Sequence, residues 1–189
     1  MYKLCKTEQS ARRQHQLEQG LLEAMRVQQY EQISVSELCD RLGVPRKSFY
    51  RYFSNKDGAL YALIDHTLME YIFAPQHGGR RKRNAASADL ERFFSFWQER
   101  SVFLDALHRN RLSGLLVERA TNHAWNERMM PFYLQKQPLD VQSMMLTFVI
   151  CGLMAMVIHW HEGGYIQSIE YMAQAATRML SRPLISEEN

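Results

Sequence analysis

The stretch of sequence that most restricts how this chain can fold is residues 34–56, SVSELCDRLGVPRKSFYRYFSNK. Ser34 and Glu37 have the spacing of a capping box, in which each side chain bonds the backbone amide of the other residue. Gly43 suits the left-handed position that ends a helix, and Pro45 suits the first turn of the next helix. The pattern therefore predicts a capped helix, a tight turn and a short second helix.

The rest of the chain also has helical periodicity, without the sustained alternation that marks strands. We therefore predict an all-α fold. In the first helix Leu17, Leu21 and Met25 form an apolar stripe, and Glu18 is expected on the outward face. The predicted helices cover about 7–30, 34–42, 45–52, 56–73, 87–100, 101–110, 112–126, 128–136, 139–162 and 167–181.

A capped helix, a glycine turn and a short second helix together make a helix-turn-helix, whose second helix enters the DNA major groove. Phe49 and Phe53 can anchor that helix to a small core. The side chains expected at the DNA are Arg46, Lys47 and Ser48, which would face base edges, and Tyr50, Tyr52 and Lys56, which would face phosphates. The alternative is a surface helix pair whose basic residues are incidental.

The charge distribution is compatible with a DNA-binding head. Residues 1–60 carry ten Lys and Arg against seven Asp and Glu, whereas residues 85–189 carry nine against eleven. A basic amino-terminal third on a slightly acidic remainder fits a polyanion-binding head on a neutral body. Scattered surface charge fits equally well. The glycines and four consecutive basic residues of segment 75–84 predict a solvated linker, with contact to DNA phosphates as the alternative.

Several classes of protein are not favoured. Three cysteines far apart (Cys5, Cys39 and Cys151) fit neither a disulfide scaffold nor a CxxC zinc site. The start of the chain does not look like a signal peptide, which predicts a cytoplasmic protein. The apolar run at 144–158 has 15 residues, too few for a membrane span, and is expected to be a helix buried on most sides.

An enzyme built on the helical body is a further hypothesis, but no residues support it. The sequence lacks His-Glu-x-x-His, GxSxG, P-loop and GxGxxG motifs. His159 and His161 are two residues apart and would point to different faces of a helix. We predict no catalytic residues, no cofactor and no metal.

Residues 10–60 resemble the DNA-binding domain of TetR/AcrR-type transcriptional regulators. The resemblance rests on the capped helix at Ser34, Gly43-Val44, the short helix ending in Tyr50-Arg51-Tyr52-Phe53, and Lys56. Pro45 stands where the family usually has a Ser or Thr cap. The resemblance implies that Ser34 also approaches the DNA backbone. It implies a DNA-binding domain over 1–60 and a helical ligand-binding and dimerisation domain over 61–189.

The carboxyl-terminal part is similar to a subgroup common among Firmicutes regulators, in Phe93-Phe94-x-Phe96, Gly152 and Trp160-x-x-Gly163-Gly164. This similarity implies a homodimer that forms through the last two helices. Residues 144–160 are apolar nearly all round, which supports a helix shared between the core and a partner. A two-fold dimer would read an inverted-repeat operator in double-stranded DNA.

Regulators of this kind often respond to a small molecule, so the resemblance implies a repressor released by a small apolar or amphipathic effector. Aromatic and methionine side chains of the second domain could line its pocket, or could simply be packed core. The candidate polar contacts are His108, His123, Trp125 and Tyr133. The alternative is a DNA-binding coregulator that a protein partner controls.

Overall fold

The structure is a computed structural model that describes residues 1–5, 7–74, 85–123 and 138–181. These residues contain nine α-helices and no strand, so the all-α prediction is confirmed. A turn of 3₁₀ helix, Tyr30–Gln32, follows the first helix. The helices are α1 (Glu8–Val27), α2 (Val35–Arg41), α3 (Arg46–Tyr52), α4 (Lys56–Phe73), α5 (Ala85–Glu99), α6 (Ser101–Arg109), α7 (Ser113–His123), α8 (Leu139–Glu162) and α9 (Ile169–Ser181).

Most predicted boundaries agree with these to within two or three residues. Helix α1 ends at Val27 rather than near residue 30, because the chain leaves the helix through an extended Gln28 before the 3₁₀ turn. The predicted linker at 75–84 and the predicted helix at 128–136 lie outside the described residues.

The chain forms two compact units. The first comprises Met1–Glu70 together with Val102–Arg119, and the second comprises Tyr71–Ser101 together with Ala120–Asn189. The first unit therefore contains α6 and the beginning of α7 as well as the amino-terminal helices. The assignment of DNA binding to 1–60 and of ligand binding and dimerisation to 61–189 stays a prediction.

The core of the first unit contains the apolar stripe of α1, as predicted, since Leu17, Leu21 and Met25 are fully buried. Glu18 was expected to face outward, and this prediction is wrong because its side chain is fully buried. Its Oε2 lies 3.0 Å from Nδ1 of His66 on α4. The imidazole gives the carboxylate a partner, which makes its burial tolerable.

Asn110, which follows α6, is buried and links three segments of the first unit. Its Oδ1 accepts from the Tyr30 amide at 2.5 Å, and its Nδ2 donates to the carbonyls of Met25 (3.0 Å) and Ala106 (2.7 Å). The next residue, Arg111, has φ of 58°. One side chain thus satisfies backbone groups at the end of α1 that the helix itself leaves unpaired.

The core of the second unit is aromatic. Phe94 on α5 meets Trp160 on α8 edge to face at 5.7 Å, and Trp160 meets Tyr165 in the same way at 4.8 Å. The Trp160 indole also donates to the Gln167 carbonyl at 3.0 Å. Trp97 and Trp160 are both fully buried, so these two tryptophans are packed core.

Helix α8 is less buried than expected. Its buried positions, among them Leu146, Ile150 and Met154, lie on one face, and only 22% of its most apolar 18-residue window is buried. The expectation of a helix buried on most sides is therefore wrong. Within the described ranges, α8 is the one helix long and apolar enough to cross a membrane by length and composition alone.

Candidate nucleic-acid interface

The local sequence determines where α2 begins. The Ser34 hydroxyl accepts from the Glu37 amide at 3.1 Å, and the Glu37 carboxylate accepts from the Ser34 amide at 3.1 Å. These two bonds confirm the predicted capping box. The pKa of Glu37 is lowered because its carboxylate accepts from the Ser34 hydroxyl and from the Ser34 amide, and both bonds favour the ionised form. The Ser34 side chain is exposed, with its hydroxyl donating to Glu37 at 2.8 Å.

The turn between α2 and α3 depends on Gly43, whose φ is +62° as predicted. The amide of Val44 reaches back to the Cys39 carbonyl at 3.0 Å and closes the turn. Pro45 is the residue just before α3, and its carbonyl accepts the Ser48 amide at 2.8 Å. No side-chain hydrogen bond caps α3 at Pro45, so the packing of this short helix must fix its orientation.

One face of α3 is anchored in the core. Phe49 and Phe53 are fully buried and their rings lie 5.0 Å apart, which confirms their predicted role as anchors. Arg46, Lys47 and Tyr50 are exposed, and Ser48 is half-buried. Helix α3 therefore buries Phe49 while both cationic side chains of its first turn remain exposed.

The two tyrosines of α3 differ in exposure. Tyr50 is 45% exposed, whereas Tyr52 is only 7% exposed and packs near Phe53. Tyr50 is therefore the tyrosine that the fold presents to solvent, and the phosphate contacts of Tyr50 and Tyr52 stay a prediction. Sequence reasoning also passed over Arg51, which is exposed. The signal available was its position four residues after Lys47, which puts both on one side of the helix.

Lys56 opens α4, as expected, but its ammonium is already bound within the protein. It donates to the carbonyls of Tyr30 (2.5 Å), Ile33 (2.9 Å) and Glu31 (3.3 Å) and lies 4.3 Å from the centre of the Tyr30 ring. Partial burial lowers the pKa of Lys56, and the nearby acidic groups Asp57 and Glu31 oppose this. Lys56 thus ties the start of α4 to the segment before α2, and its phosphate contact stays a prediction.

The start of α4 is held by two further contacts. The Asn55 side chain accepts from the Gly58 amide at 2.9 Å, and the Tyr30 hydroxyl donates to Asp57 at 2.6 Å. Burial and this bond to a carboxylate raise the pKa of Tyr30. The turn after α3 therefore has little freedom, which is what a helix that must fit a DNA groove requires.

The residues expected to bind an effector are placed as follows. His108 is exposed and belongs to the first unit, whereas His123 is half-buried and belongs to the second. Trp125 and Tyr133 lie outside the described residues. A site that combines these four side chains stays a prediction.

The comparisons with known proteins agree with this geometry. Residues 21–63 match the family model of bacterial regulatory proteins of the tetR family. This range contains Gly43, α3 and the start of α4. No curated protein matches the chain significantly.

Solved structures share the fold of nearly the whole chain. The dihydroxyacetone kinase operon activator DhaS has 16% identity and a TM-score of 0.60, over 89% of this chain and 94% of that one. A tetR-family transcriptional regulator from Streptomyces coelicolor has 19% identity and a TM-score of 0.55, over 90% and 80%. The fatty acid degradation regulator FadR from Bacillus halodurans has 15% identity and a TM-score of 0.57, over 96% and 98%.

The comparisons indicate a regulator rather than an enzyme. The matched domain and the exposed cationic side chains of α3 point to DNA binding. Residues 21–63 of this chain are a DNA-binding domain of the tetR-family type, within an all-helical fold that solved regulators share.

Proposed function

We propose that this regulator acts in the cytoplasm as a homodimer that binds an inverted-repeat operator and represses transcription until a small effector releases it. The observation that carries the proposal is the first turn of α3, where Arg46 and Lys47 are exposed while Phe49, in the next turn, is buried. Arg46, Lys47 and Ser48 would face base edges, and Ser34, Tyr50, Arg51 and Lys56 would face the phosphates.

The direct test is selection of binding sequences from random duplex DNA, followed by affinity measurements on the enriched duplex. We expect an inverted repeat that binds two or four chains. Arg46→Ala should weaken specific binding by about 1–3 kcal/mol and relax the preference at one base pair. Arg26→Ala is the matched control, because Arg26 is also exposed but is paired with Glu23 on α1. Enrichment of no sequence would contradict the proposal.

The dimer is supported by an exposed apolar face of α8. Met145, Phe148, Gly152 and Ala155 recur at helical spacing and are exposed, with Phe148 at 62%. A side chain added at Gly152 would meet open space, so a second helix could approach closely there. On α9, Tyr171 and Met179 are exposed apolar residues eight positions apart, on the same side of the helix.

Sedimentation of Phe148→Asp tests the dimer, because a carboxylate would then have to be buried in the proposed interface. We expect this variant to sediment as a monomer and to bind the selected duplex more weakly. Val102→Asp is the control, since Val102 is an exposed apolar residue on α6, which is neither of the two helices proposed to form the interface. A Phe148→Asp variant that remains dimeric would exclude α8 as the contact.

A protein partner in place of a small effector is favoured by one observation, the full burial of Trp97 and Trp160 in the second unit. Two of the three tryptophans that could line a pocket are thus used as core, which suits control by a partner. The two candidates are separated by fractionating a lysate of the source cells by size and adding each fraction to the protein–DNA complex. Release by the low-mass fraction supports an effector, and release by the high-mass fraction alone supports a partner.

A further inference from the structure

The first three residues of the chain are held against the turn that follows the recognition helix α3. Tyr2 and Phe53 form an antiparallel bridge. The Lys3 amide donates to the Tyr52 carbonyl at 2.9 Å, and the Ser54 amide donates to the Met1 carbonyl at 3.1 Å. The Tyr52 carbonyl belongs to the last residue of α3, where a helix leaves its carbonyls without partners. We call residues Met1–Lys3 the amino-terminal strap.

Tyr2 fastens the strap to the core of the first unit. Its hydroxyl donates to Asp65 Oδ2 at 2.7 Å, and its ring meets His66 edge to face at 5.7 Å. Asp65 is fully buried, and the guanidinium of Arg119 on α7 binds both of its oxygens, with Nε donating to Oδ1 at 2.7 Å. The strap is thus tied to a neutralised carboxylate that is itself fixed between α4 and α7.

Gly58 lets the strap lie close to the first turn of α4. A Cβ atom at this position would be 2.5 Å from the Met1 carbonyl oxygen, a distance that real Cβ atoms do not reach. Glycine is otherwise a poor residue for a helix, where it costs up to about 1 kcal/mol relative to alanine. A substitution to alanine would therefore displace the strap while it improves the helix.

We propose that the strap contributes to specific DNA binding by fixing the orientation of α3, and that Tyr2 is a positioning residue for this helix. Helix α3 has seven residues and no side-chain cap, so its position depends on buried Phe49 within it, on buried Phe53 just after it, and on the strap at its end. Opening the strap leaves the DNA-facing side chains intact but loosens the angle at which α3 meets the groove. Specific binding then suffers more than nonspecific binding, because only specific binding depends on base contacts.

Two variants of the full-length protein open the strap by independent routes. Tyr2→Phe removes only the hydroxyl that donates to Asp65, and Gly58→Ala places a methyl group against the Met1 carbonyl. Hydrogen exchange of the Ser54 amide, which donates to that carbonyl, reports the opening directly. Affinity is measured for the duplex selected from random DNA by the unaltered protein and for a scrambled duplex of equal length. Leu4→Ser is the control, since Leu4 is exposed just beyond the strap.

In both variants we expect Ser54 exchange and the dissociation constant for the selected duplex to rise, each roughly three- to tenfold. Affinity for the scrambled duplex should change less than about twofold, and Leu4→Ser should change neither affinity. The double variant should bind the selected duplex with the affinity of whichever single variant binds it less tightly, because both changes open the same strap.

Three results would overturn the proposal. One is faster Ser54 exchange with unchanged affinity for the selected duplex. Another is an equal loss for both duplexes together with a lower melting temperature, which would make the strap merely structural. The third is a Lys3→Gln variant that lowers the affinity for both duplexes and the salt dependence of binding, while Tyr2→Phe changes neither affinity. That result would make the segment a direct phosphate contact.

Discussion

Replacement of Asn110 by alanine tests how the first compact unit is held together. The side chain makes three hydrogen bonds inside the protein, to the Tyr30 amide and to the carbonyls of Met25 and Ala106. In the alanine variant the Ala106 carbonyl still has a donor, because the backbone amide of residue 110 lies 3.3 Å from it. Two buried backbone groups, those of Tyr30 and Met25, therefore lose the partner that Asn110 provides.

Each orphaned buried group costs about 1–3 kcal/mol, so we expect Asn110→Ala to lower the free energy of unfolding by about 3 kcal/mol. With a urea m-value of about 2 kcal/mol/M, the unfolding midpoint should fall by about 1.5 M. Urea titrations followed by circular dichroism, at one fixed protein concentration, measure this shift. Concentration is fixed because the stability of the proposed dimer would depend on it.

Two comparisons make the result specific. Asn122→Ala removes an exposed asparagine from α7 and should change stability by less than about 0.5 kcal/mol. Asn110→Asp keeps the size of the side chain and the acceptor for Tyr30, but it replaces the donor by a carboxylate oxygen facing carbonyls. It should be at least as destabilising as the alanine variant at neutral pH. A stable aspartate variant, or an alanine variant within about 0.5 kcal/mol of the parent, would refute the reasoning.

Three further variants test other contacts. Ser34→Ala removes the N-cap of α2 and should cost about 1 kcal/mol in thermal or urea unfolding, with a smaller loss for Ser34→Gly. Gly43→Ala forces a side chain into a left-handed conformation and should cost about 1–2 kcal/mol by the same measurement; an unchanged midpoint would contradict the observed φ. The bond to Glu18 raises the pKa of His66. The stabilisation that this bond gives to the folded state is therefore complete below pH 6.5 and is lost as the pH rises through the folded-state pKa of His66. Stability should therefore fall from pH 6 to pH 8, and by less in His66→Gln; because the imidazole is 38% exposed, solvent screening keeps the difference below about 1 kcal/mol.

The parts of the fold that the sequence predicted are those that neighbouring residues determine. The capping box of Ser34 and Glu37 spans three positions, and the turn at Gly43 depends on one residue that tolerates positive φ. Phe49 and Phe53 were assigned correctly because their spacing places them on one side of a short helix. Such features can be derived without knowing what the rest of the chain does.

The parts that sequence reasoning missed depend on residues far apart in the chain. Glu18 is polar at an apparently outward position, and its burial requires a histidine 48 positions later. Tyr52 alternates with Tyr50 in the sequence, yet only the packing of α3 shows which of them is exposed. The binding of the Lys56 ammonium by carbonyls of 30–33 has no local signal, because carbonyls are present at every residue.

The discontinuity of the first compact unit has a consequence for the synthesis of the protein. When residue 70 leaves the peptidyl-transferase centre, Asn110 and Arg119 do not yet exist, so the Tyr30 amide and the Asp65 carboxylate lack their eventual partners. At about 5–20 residues per second, the ribosome needs about 2–10 s to reach Arg119. During that interval the amino-terminal helices lack residues 102–119, which complete the first unit. A chimaeric regulator that joins these helices to a foreign body should carry residues 102–119 with them.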